Sequence, residues 1–409
     1  MCGVVALGRS RVSQNALSDF SLVAGNVHDQ TLDVVQVCNS QSECEKRSPA
    51  LTGSSGLKIS VLSGRGLSFD QVAIWREIQQ SNPVLQNPCF SPEFTQAVAA
   101  VRDDVEVAFV GQGEEPVAIF PFQRKHFSRA VPVGGIVSDY QGLICRKGFR
   151  CEPQELLKAC GLIAWDFDRL LASQHFFVPC HKYCEPSALI DLSHGYEAYL
   201  AERRAAGTTQ IKKCENLMRR MERELGPIRF VRHASDLKWL AQILDWKSQQ
   251  YLASGWRDLF ATKWGRGLVE VIHAKQKTEF AGMLSLLFAG ERLVAGHMGM
   301  RSDSVWHYWF PAYDRQYAKY SPGLVLLLKM ARDCEDLGLR SIDLGTGITL
   351  YKKRLMNASI SVAEGSVERP SWLSLLRGTR RKLKAMVGVS SKRRRPSMAQ
   401  AVYASDHTC

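Results

Sequence analysis

Residues 279–337 decide the fold, and they read EFAGMLSLLF (279–288), RLVAGHMGMR (292–301), SVWHYWFPA (304–312), YSPG (320–323) and LVLLLKMARDCEDL (324–337). The first three segments are rich in apolar residues, and short turn signals at 289–291 and 302–303 separate them. This pattern predicts an antiparallel meander. The long apolar segment after YSPG predicts a helix, and a short strand is predicted after it at 341–344.

The loop before this helix has the composition of an anion-binding helix start. Ser321 can serve as the N-cap, Pro322 needs no hydrogen-bond donor at the first position, and Gly323 lets a phosphate approach the backbone. A helix N-terminus carries unpaired N–H groups and a positive partial charge, so a pyrophosphate docks there readily. Ser-Pro-Gly is also an ordinary helix start, and both interpretations stay open at this point.

Two α/β units of similar size are predicted upstream and downstream of about residue 190. The predicted strands are 58–62, 105–110, 116–123, 163–166, 176–179, 228–231 and 361–367, together with the meander and 341–344; the predicted helices are 68–80, 91–102, 153–160, 196–224, 235–253, 263–275 and 324–337. The similar size of the units predicts a duplicated fold, although no sequence repeat links them. The first unit contains no equivalent of the Ser-Pro-Gly loop.

Length and composition predict a globular protein with two domains between two flexible ends. The chain has 409 residues, of which 45% are hydrophobic and 23% are charged. Residues 1–56 lack periodicity and are predicted to be a disordered extension. The lobes are predicted at 57–190 and 191–367, and a basic flexible tail is predicted at 368–409.

The formal charge of +13 is concentrated in this tail. Between Ser366 and Gln400 lie ten Lys or Arg residues against one acid, Glu368, so the tail supplies about nine of the charges. The rest of the chain has nearly equal numbers of positive and negative charges, so a nucleic-acid partner is not predicted. The tail itself is compatible with a solubilising role, with an anionic membrane surface contacted through 371–376, or with cyclic-di-GMP at the arginines of 377–381.

The remaining bulk features favour a cytoplasmic location. No segment has the roughly 20 uninterrupted apolar residues of a membrane span, and the N-terminal apolar run lacks the basic lead of a signal peptide. The 12 cysteines are scattered, which indicates thiols in a reducing compartment. Cys180 and Cys184 have no matching second pair, so no metal site is predicted.

Several motifs, taken in order, resemble those of the CelD/BcsL-type acetyltransferases over roughly 57–367. In the first unit these are NPCFSP (87–92) and SDYQG (138–142). In the second they are WKSQQY (246–251), GHMGMRS (296–302), WFPAYD (309–314), YSPG (320–323), DLG (343–345) and YKK (351–353). The resemblance implies a GNAT fold, as a tandem of two GNAT-like lobes similar to the Fem-type aminoacyl ligases. A location at the inner membrane, as a peripheral protein, is compatible with it.

The resemblance also implies an enzyme that transfers an acyl group from acetyl-CoA or another acyl-CoA to an amine. The expected acceptor is an amino sugar of an extracellular polysaccharide such as cellulose or holdfast, and the cofactor-binding residues would be Tyr320, Ser321, Pro322 and Gly323. The competing hypothesis is a non-catalytic scaffold or nucleotide-sensing module of a polysaccharide synthesis complex. Thioester turnover would separate the two.

Acyl transfer to an amine needs a base and a donor for the developing oxyanion. His297 and His307 lie on neighbouring predicted strands, and either is a candidate base or a packed structural histidine. Asp314 and Asp343 are candidates to orient a histidine or hold the amine, with loop capping as the alternative. Lys352 is a candidate partner of a phosphate or an oxyanion, with a solvated surface position as its alternative.

Overall fold

Thirteen strands form one continuous mixed sheet in the computed structural model, which describes residues 58–112 and 115–370. The predictions for 1–56 and for almost all of the basic tail lie outside these residues. The strands are β1 Lys58–Ser63, β2 Val105–Gln112, β3 Glu115–Lys125, β4 Arg129–Val131, β5 Ile144–Cys145, β6 Ala164–Leu171, β7 His181–Asp191, β8 Ile228–Val231, β9 Ala281–Ala289, β10 Arg292–Arg301, β11 Val305–Tyr313, β12 Ser341–Thr346 and β13 Ala358–Glu368.

The order of the strands places the C-terminal strand between two strands from the middle of the sequence. The order is β1-β2-β3-β4-β6-β13-β7-β12-β11-β10-β9-β8, with β5 paired to β3 outside this path. The C-terminal strand β13 lies antiparallel between β6 and β7, and β7 is antiparallel to β12 on its other side. The predicted second lobe therefore sends its last strand among the strands of the predicted first lobe. The boundary at 190/191 stays a prediction.

Nine α-helices are described in the same residues, and helices pack on both faces of the C-terminal half of the sheet. They are α1 Phe69–Gln80, α2 Pro92–Val101, α3 Pro153–Ala159, α4 Tyr196–Ala205, α5 Gln210–Leu225, α6 Leu237–Ala253, α7 Lys263–His273, α8 Pro322–Asp333 and α9 Leu350–Leu355. Trp309 and Phe310 of β11 pack in the core that contains α6 and α7, whereas Trp306 and Tyr308 pack in the core that contains α5 and α8. Strand β9 is buried along its whole length for this reason. None of the described helices has the length and apolar character of a bilayer span.

Most predicted elements are confirmed, and local chemistry explains their ends. Ser68 closes a capping box with Gln71 at the start of α1. Ser91 occupies the N-cap position of α2, but its side chain makes no capping bond. Strand β8 and strand β10 have the predicted bounds.

Two predictions of local structure are wrong, and one short helix was not predicted. The predicted helix 196–224 is two helices, α4 and α5, because Gly207 at φ +74 ends the first one. The predicted strand 176–179 is a 3-10 helix, His175–Cys180, and the strand begins only at His181. No helix was predicted at α9, a segment of one and a half turns that contains Lys352.

Strands β11 and β12 create the opening that positions the site. They are parallel neighbours, but they pair only from Val305 with Ser341 to His307 with Asp343. Beyond this point the strands diverge, and β12 continues its antiparallel pairing with β7 as far as Thr346. His307 and Asp343 therefore face each other at the last rung before the sheet opens.

Candidate active site

A buried group of charged and polar side chains lies where β11 and β12 separate. We name it the charge cluster and define it as Asn87, Asp139, Arg169, His307, Asp343 and Lys352. The Nε2 atom of His307 lies 3.2 Å from Oδ2 of Asp139, and its Nδ1 atom lies 3.9 Å from Oδ1 of Asp343. His307 has no exposed surface. The imidazole is therefore held by the charge of two carboxylates.

The first half of the chain supplies the other side of the cluster. The Nδ2 atom of Asn87 donates to Oδ2 of Asp343 at 2.7 Å, and the backbone N–H of Gly345 donates to Oδ1 at 2.8 Å. The guanidinium of Arg169 lies 3.4 Å from Asp139 through Nε and 3.3 Å from Asp168 through Nη1. Asn87 and Asp139 lie within the two motifs of the first unit, but no role was predicted for them. Those motifs were the available signal, since a polar residue at 87 and an acid at 139 are unremarkable in the sequence alone.

Charge pairing sets the protonation of the cluster. Burial acts to lower the pKa of His307, but the nearby Asp139 and Asp343 carboxylates outweigh it and raise the pKa. Burial acts to raise the pKa of Asp139, but His307 and Arg169 lower it. Burial raises the pKa of Asp343, even though His307 and the N–H of Gly345 act in the opposite direction. The cluster therefore favours an imidazolium at His307 and a carboxylate at Asp139.

Lys352 of the charge cluster and the neighbouring Lys247 are both buried lysines. The Nζ atom of Lys352 donates to the carbonyl oxygens of Gly345 at 3.1 Å and Thr346 at 2.7 Å. Burial lowers the pKa of Lys352 to about 8, against the pull of Asp139 and Asp343. Lys247 donates to the carbonyl oxygen of Pro311 at 3.2 Å, and burial lowers its pKa to about 7. Lys352 has no exposed surface, so its alternative as a solvated surface lysine is wrong.

His297 and Asp314 occupy other surroundings. The Nε2 atom of His297 accepts the backbone N–H of Trp309 at 3.1 Å, and the ring stacks on Tyr308 with centroids 4.6 Å apart. Burial lowers the pKa of His297 well below its ordinary value. Asp314 caps the 3-10 helix Arg315–Tyr320 by accepting the N–H of Gln316 at 2.9 Å. The structure thus brings together His307, Asp343 and Lys352, whereas Asp314 has the capping contact that was its alternative.

The predicted cofactor loop forms the start of α8. Pro322 and Gly323 are buried, and the hydroxyl of Tyr308 donates to the carbonyl oxygen of Gly323 at 3.3 Å. Ser321 occupies the N-cap position with φ +50, and its side chain makes no capping bond. A left-handed serine costs roughly 1–2 kcal/mol, so the surrounding contacts must hold this conformation.

Charged side chains surround the neighbouring tyrosine. The hydroxyl of Tyr320 donates to Glu224, which also accepts from Arg220 at 2.6 Å and Lys319 at 3.2 Å. These bonds, that from Arg220 foremost, lower the pKa of Glu224 to about 2. Two cations therefore share one carboxylate next to Tyr320, which leaves one positive charge in excess there.

A cavity of about 1270 Å³ reaches the charge cluster at Arg169. Its walls include Arg169 of β6, Glu185 of β7, Glu364 of β13 and the Gly347-Ile348 connection that follows β12. Arg169 is buried at 4% exposure and connects the cavity wall to Asp139. Within the described residues, no three His, Cys, Asp or Glu side chains are placed to hold a metal ion. The arrangement can bind a polar molecule beside a fixed set of buried charges.

Comparisons with known proteins agree with this fold. Residues 209–353 match the family described as "Acetyltransferase (GNAT) domain". This segment runs from α5 through the meander and the start of α8 to Lys352 and Lys353. A search of curated proteins gives no significant match.

Solved structures are similar over most of the chain. The structure described as "Crystal structure of FemX" aligns with a TM-score of 0.51 at 10% identity, covering 78% of this chain and 99% of that one. A tandem GNAT protein from the clavulanic acid biosynthesis pathway aligns with a TM-score of 0.45 at 10% identity, covering 77% and 100% of the two chains. A GCN5-related N-acetyltransferase from Kribbella flavida aligns with a TM-score of 0.33 at 10% identity, covering 76% and 71%. The FemX alignment supports the fold, and the family match supports the enzyme class. The chain is therefore an acyltransferase that carries a GNAT acetyltransferase domain.

Proposed function

We propose that the chain transfers an acyl group from acetyl-CoA or another acyl-CoA to the amine of an amino sugar during extracellular polysaccharide synthesis. The family match over 209–353 is the observation that supports an acyl-CoA donor, because this range contains the start of α8. The residues proposed to bind the pyrophosphate are Tyr320, Ser321, Pro322 and Gly323. Pro322 has no N–H, and the N–H groups of Leu324 and Val325 bond to the carbonyl oxygen of Ser321, so the N–H of Gly323 is the proposed backbone donor. Arg220 and Lys319, which share Glu224 beside Tyr320, add one positive charge in excess.

The charge cluster supports a positioning role for His307 in this reaction. A general base must be neutral before it accepts a proton from the acceptor amine. Asp139 and Asp343 favour the charged form of His307, so we propose that it holds the two carboxylates and, through Asp139, Arg169 at the cavity wall. Lys352 is proposed to fix the Gly345-Thr346 backbone at the end of β12. The single lone pair of the neutral His297 ring, on Nε2, already accepts the N–H of Trp309, so this buried histidine fits its structural alternative rather than the role of base.

Resemblance of the motifs to the CelD/BcsL-type acetyltransferases supports the polysaccharide role. The polysaccharide role is more specific than the acyltransferase class, and the proposal also includes the basic tail. Contact of the tail with an anionic membrane surface or with cyclic-di-GMP is likewise proposed from the sequence, and a cytoplasmic location at the inner membrane would suit it.

The donor site is tested by calorimetric titration of the purified chain with acetyl-CoA and longer acyl-CoAs. Ser321→Asp places a carboxylate at the start of α8, where it favours the helix dipole but repels a pyrophosphate. We expect this variant to unfold at the wild-type temperature or above it while its affinity falls at least about tenfold. The matched control is Ser321→Asn, because asparagine also tolerates the left-handed conformation but brings no charge.

A second variant, Gly323→Trp, should abolish acyl-CoA binding by filling the first turn. Equal acyl-CoA affinity of wild type and Ser321→Asp would show that the donor does not bind at the start of α8. A folded wild-type chain that binds no acyl-CoA and turns over no thioester would instead support the scaffold or nucleotide-sensing alternative.

A further inference from the structure

The large cavity and the start of α8 lie at the same edge of the sheet. Strands β11 and β12 are parallel, so their carboxyl ends point in the same direction. The chain passes from the end of β11 to α8, and from the end of β12 to Gly347 and Ile348, which line the cavity. Ligands of α/β sheets bind outside the carboxyl ends of such strands, at the point where neighbouring strands diverge. A donor at α8 and a second ligand in the cavity would therefore approach each other.

The charges of the cavity wall are almost balanced. Five cationic side chains and four carboxylates line it. Four of the cations are in ion pairs, namely Arg102 and Lys125 with Asp104, Arg129 with Asp166, and Arg169 with Asp139 and Asp168. A phosphate ligand is recognised by cations that it can pair with. Since the protein's own carboxylates already neutralise these groups, the wall suits a polar ligand without a large negative charge.

Aromatic side chains and carboxylates line the same cavity. Trp264 and Tyr183 contribute the aromatic side chains. Glu185 and Glu364 contribute carboxylates, and each carboxylate can accept about four hydrogen bonds, so partners within the protein leave capacity for hydroxyls or an ammonium group. The volume of about 1270 Å³ exceeds the roughly 300–1,000 Å³ of an ordinary small-molecule site. These features together describe a ligand with many hydroxyls, little net charge and considerable length.

We propose that this cavity is the acceptor site and that it holds an amine-bearing oligosaccharide of more than one sugar ring. The inference rests on the proposed function for the transfer itself, and it narrows the acceptor from any amino sugar to an oligomer. The aromatic rings stack on the sugar faces, the carboxylates bind the hydroxyls and the amine, and the buried Arg169 fixes the wall next to the charge cluster.

The experiment compares glucosamine with its β-1,4-linked di-, tri- and tetrasaccharides as acceptors, by release of free CoA at saturating acetyl-CoA. We expect kcat/KM to rise at least about tenfold from the monosaccharide to the trisaccharide. Ile136→Trp enlarges an exposed side chain of the cavity wall and should remove this gain. Leu252→Trp makes a similar change at an exposed leucine at the end of α6 and should keep the gain.

Binding without a donor separates this inference from the proposed function. The tetrasaccharide should bind the wild-type chain in calorimetry, and Ile136→Trp and Glu364→Gln should weaken that binding while acetyl-CoA binding stays unchanged. Equal kcat/KM for all acceptor lengths, or a tetrasaccharide affinity that Ile136→Trp leaves intact, would overturn the inference. If the wild-type chain does not bind acetyl-CoA, only the proposed function is contradicted, because the oligosaccharide titration contains no donor.

Discussion

At the scale of single residues, the buried Lys247 makes stability depend on pH. Its pKa is lowered to about 7 by burial, whereas an unfolded lysine titrates near 10.4. Between these values the unfolded chain binds more protons than the folded one, so this residue makes the free energy of unfolding rise with pH. The slope from one such group is about 1.4 kcal/mol per pH unit.

Lys247→Met should therefore gain stability relative to wild type as the pH falls from about 10 to about 7. Chemical denaturation of both proteins across this range measures the difference, and the comparison cancels the thiols that titrate in both. Lys58→Met, at an exposed position in β1, controls for the loss of a surface charge. A difference between wild type and Lys247→Met that does not vary with pH would contradict the burial argument.

The residues of the candidate site were only partly predictable from the sequence. His307, Asp343 and Lys352 could be singled out because their chemistry and their place on predicted strands and loops are visible in one sequence. The contact of Asn87 with Asp343 joins positions 256 residues apart, and no local pattern encodes such a contact. The opposite charge states favoured by His307 and His297 depend on burial and on the nearest carboxylates, which only the folded chain specifies.

At the scale of elements, the connection between β3 and β4 contains a local strain that a substitution can relieve. Phe127 and Ser128 have φ values of +59 and +50, which ordinary L-residues rarely adopt. Ser128 is exposed, and its carbonyl oxygen accepts the N–H of Ile163, a bond that glycine would keep.

Ser128→Gly should raise the free energy of unfolding by about 0.5–1 kcal/mol, since glycine adopts this conformation without steric cost. Thermal or urea unfolding provides the measurement. The same substitution at Ser60, in the exposed edge strand β1, should lower stability by a similar amount because the backbone there is extended. A loss of stability in both variants would show that Ser128 makes contacts that outweigh its backbone strain.

The elements that the sequence predicted well are those with strong periodicity or clear caps. The meander, α1 with its Ser68 cap, and β8 fall into this class. The helix 196–224 was predicted as one element because its polar face continues through Gly207, which ends α4 with a left-handed backbone. Helix α9 spans six residues, too few for a periodic signal.

At the scale of the whole molecule, β13 should be essential for folding. It pairs with β6 on one side and β7 on the other, at the centre of the sheet. A chain that ends at Asn357 would leave two long strands facing each other without a partner, and we expect it not to unfold cooperatively. A chain that ends at Pro370 keeps every strand of the described sheet and should unfold as a single transition in calorimetry. Cooperative unfolding of the shorter chain would contradict this assignment.

The α/β class and the GNAT fold could be predicted, but the arrangement of the strands could not. The sequence contains the strand β13, and it was predicted at 361–367. Its insertion between strands of the first half is a choice among pairings far apart in the chain, and periodicity does not distinguish among them. The prediction of two lobes therefore did not include the pairing of β13 with β6 and β7, the ladder that joins the two halves.

This ladder also limits how the protein can move. Hinge closure of two domains turns on a few residues in a connecting loop. Here β7 pairs with β12 and β13 along most of its length. A rotation of one half against the other would therefore break backbone hydrogen bonds at the centre of the sheet. The connections 132–136 and 347–348 line the cavity, and they are where local adjustment would leave the sheet intact. The enzyme would work as a rigid frame with adjustable edges.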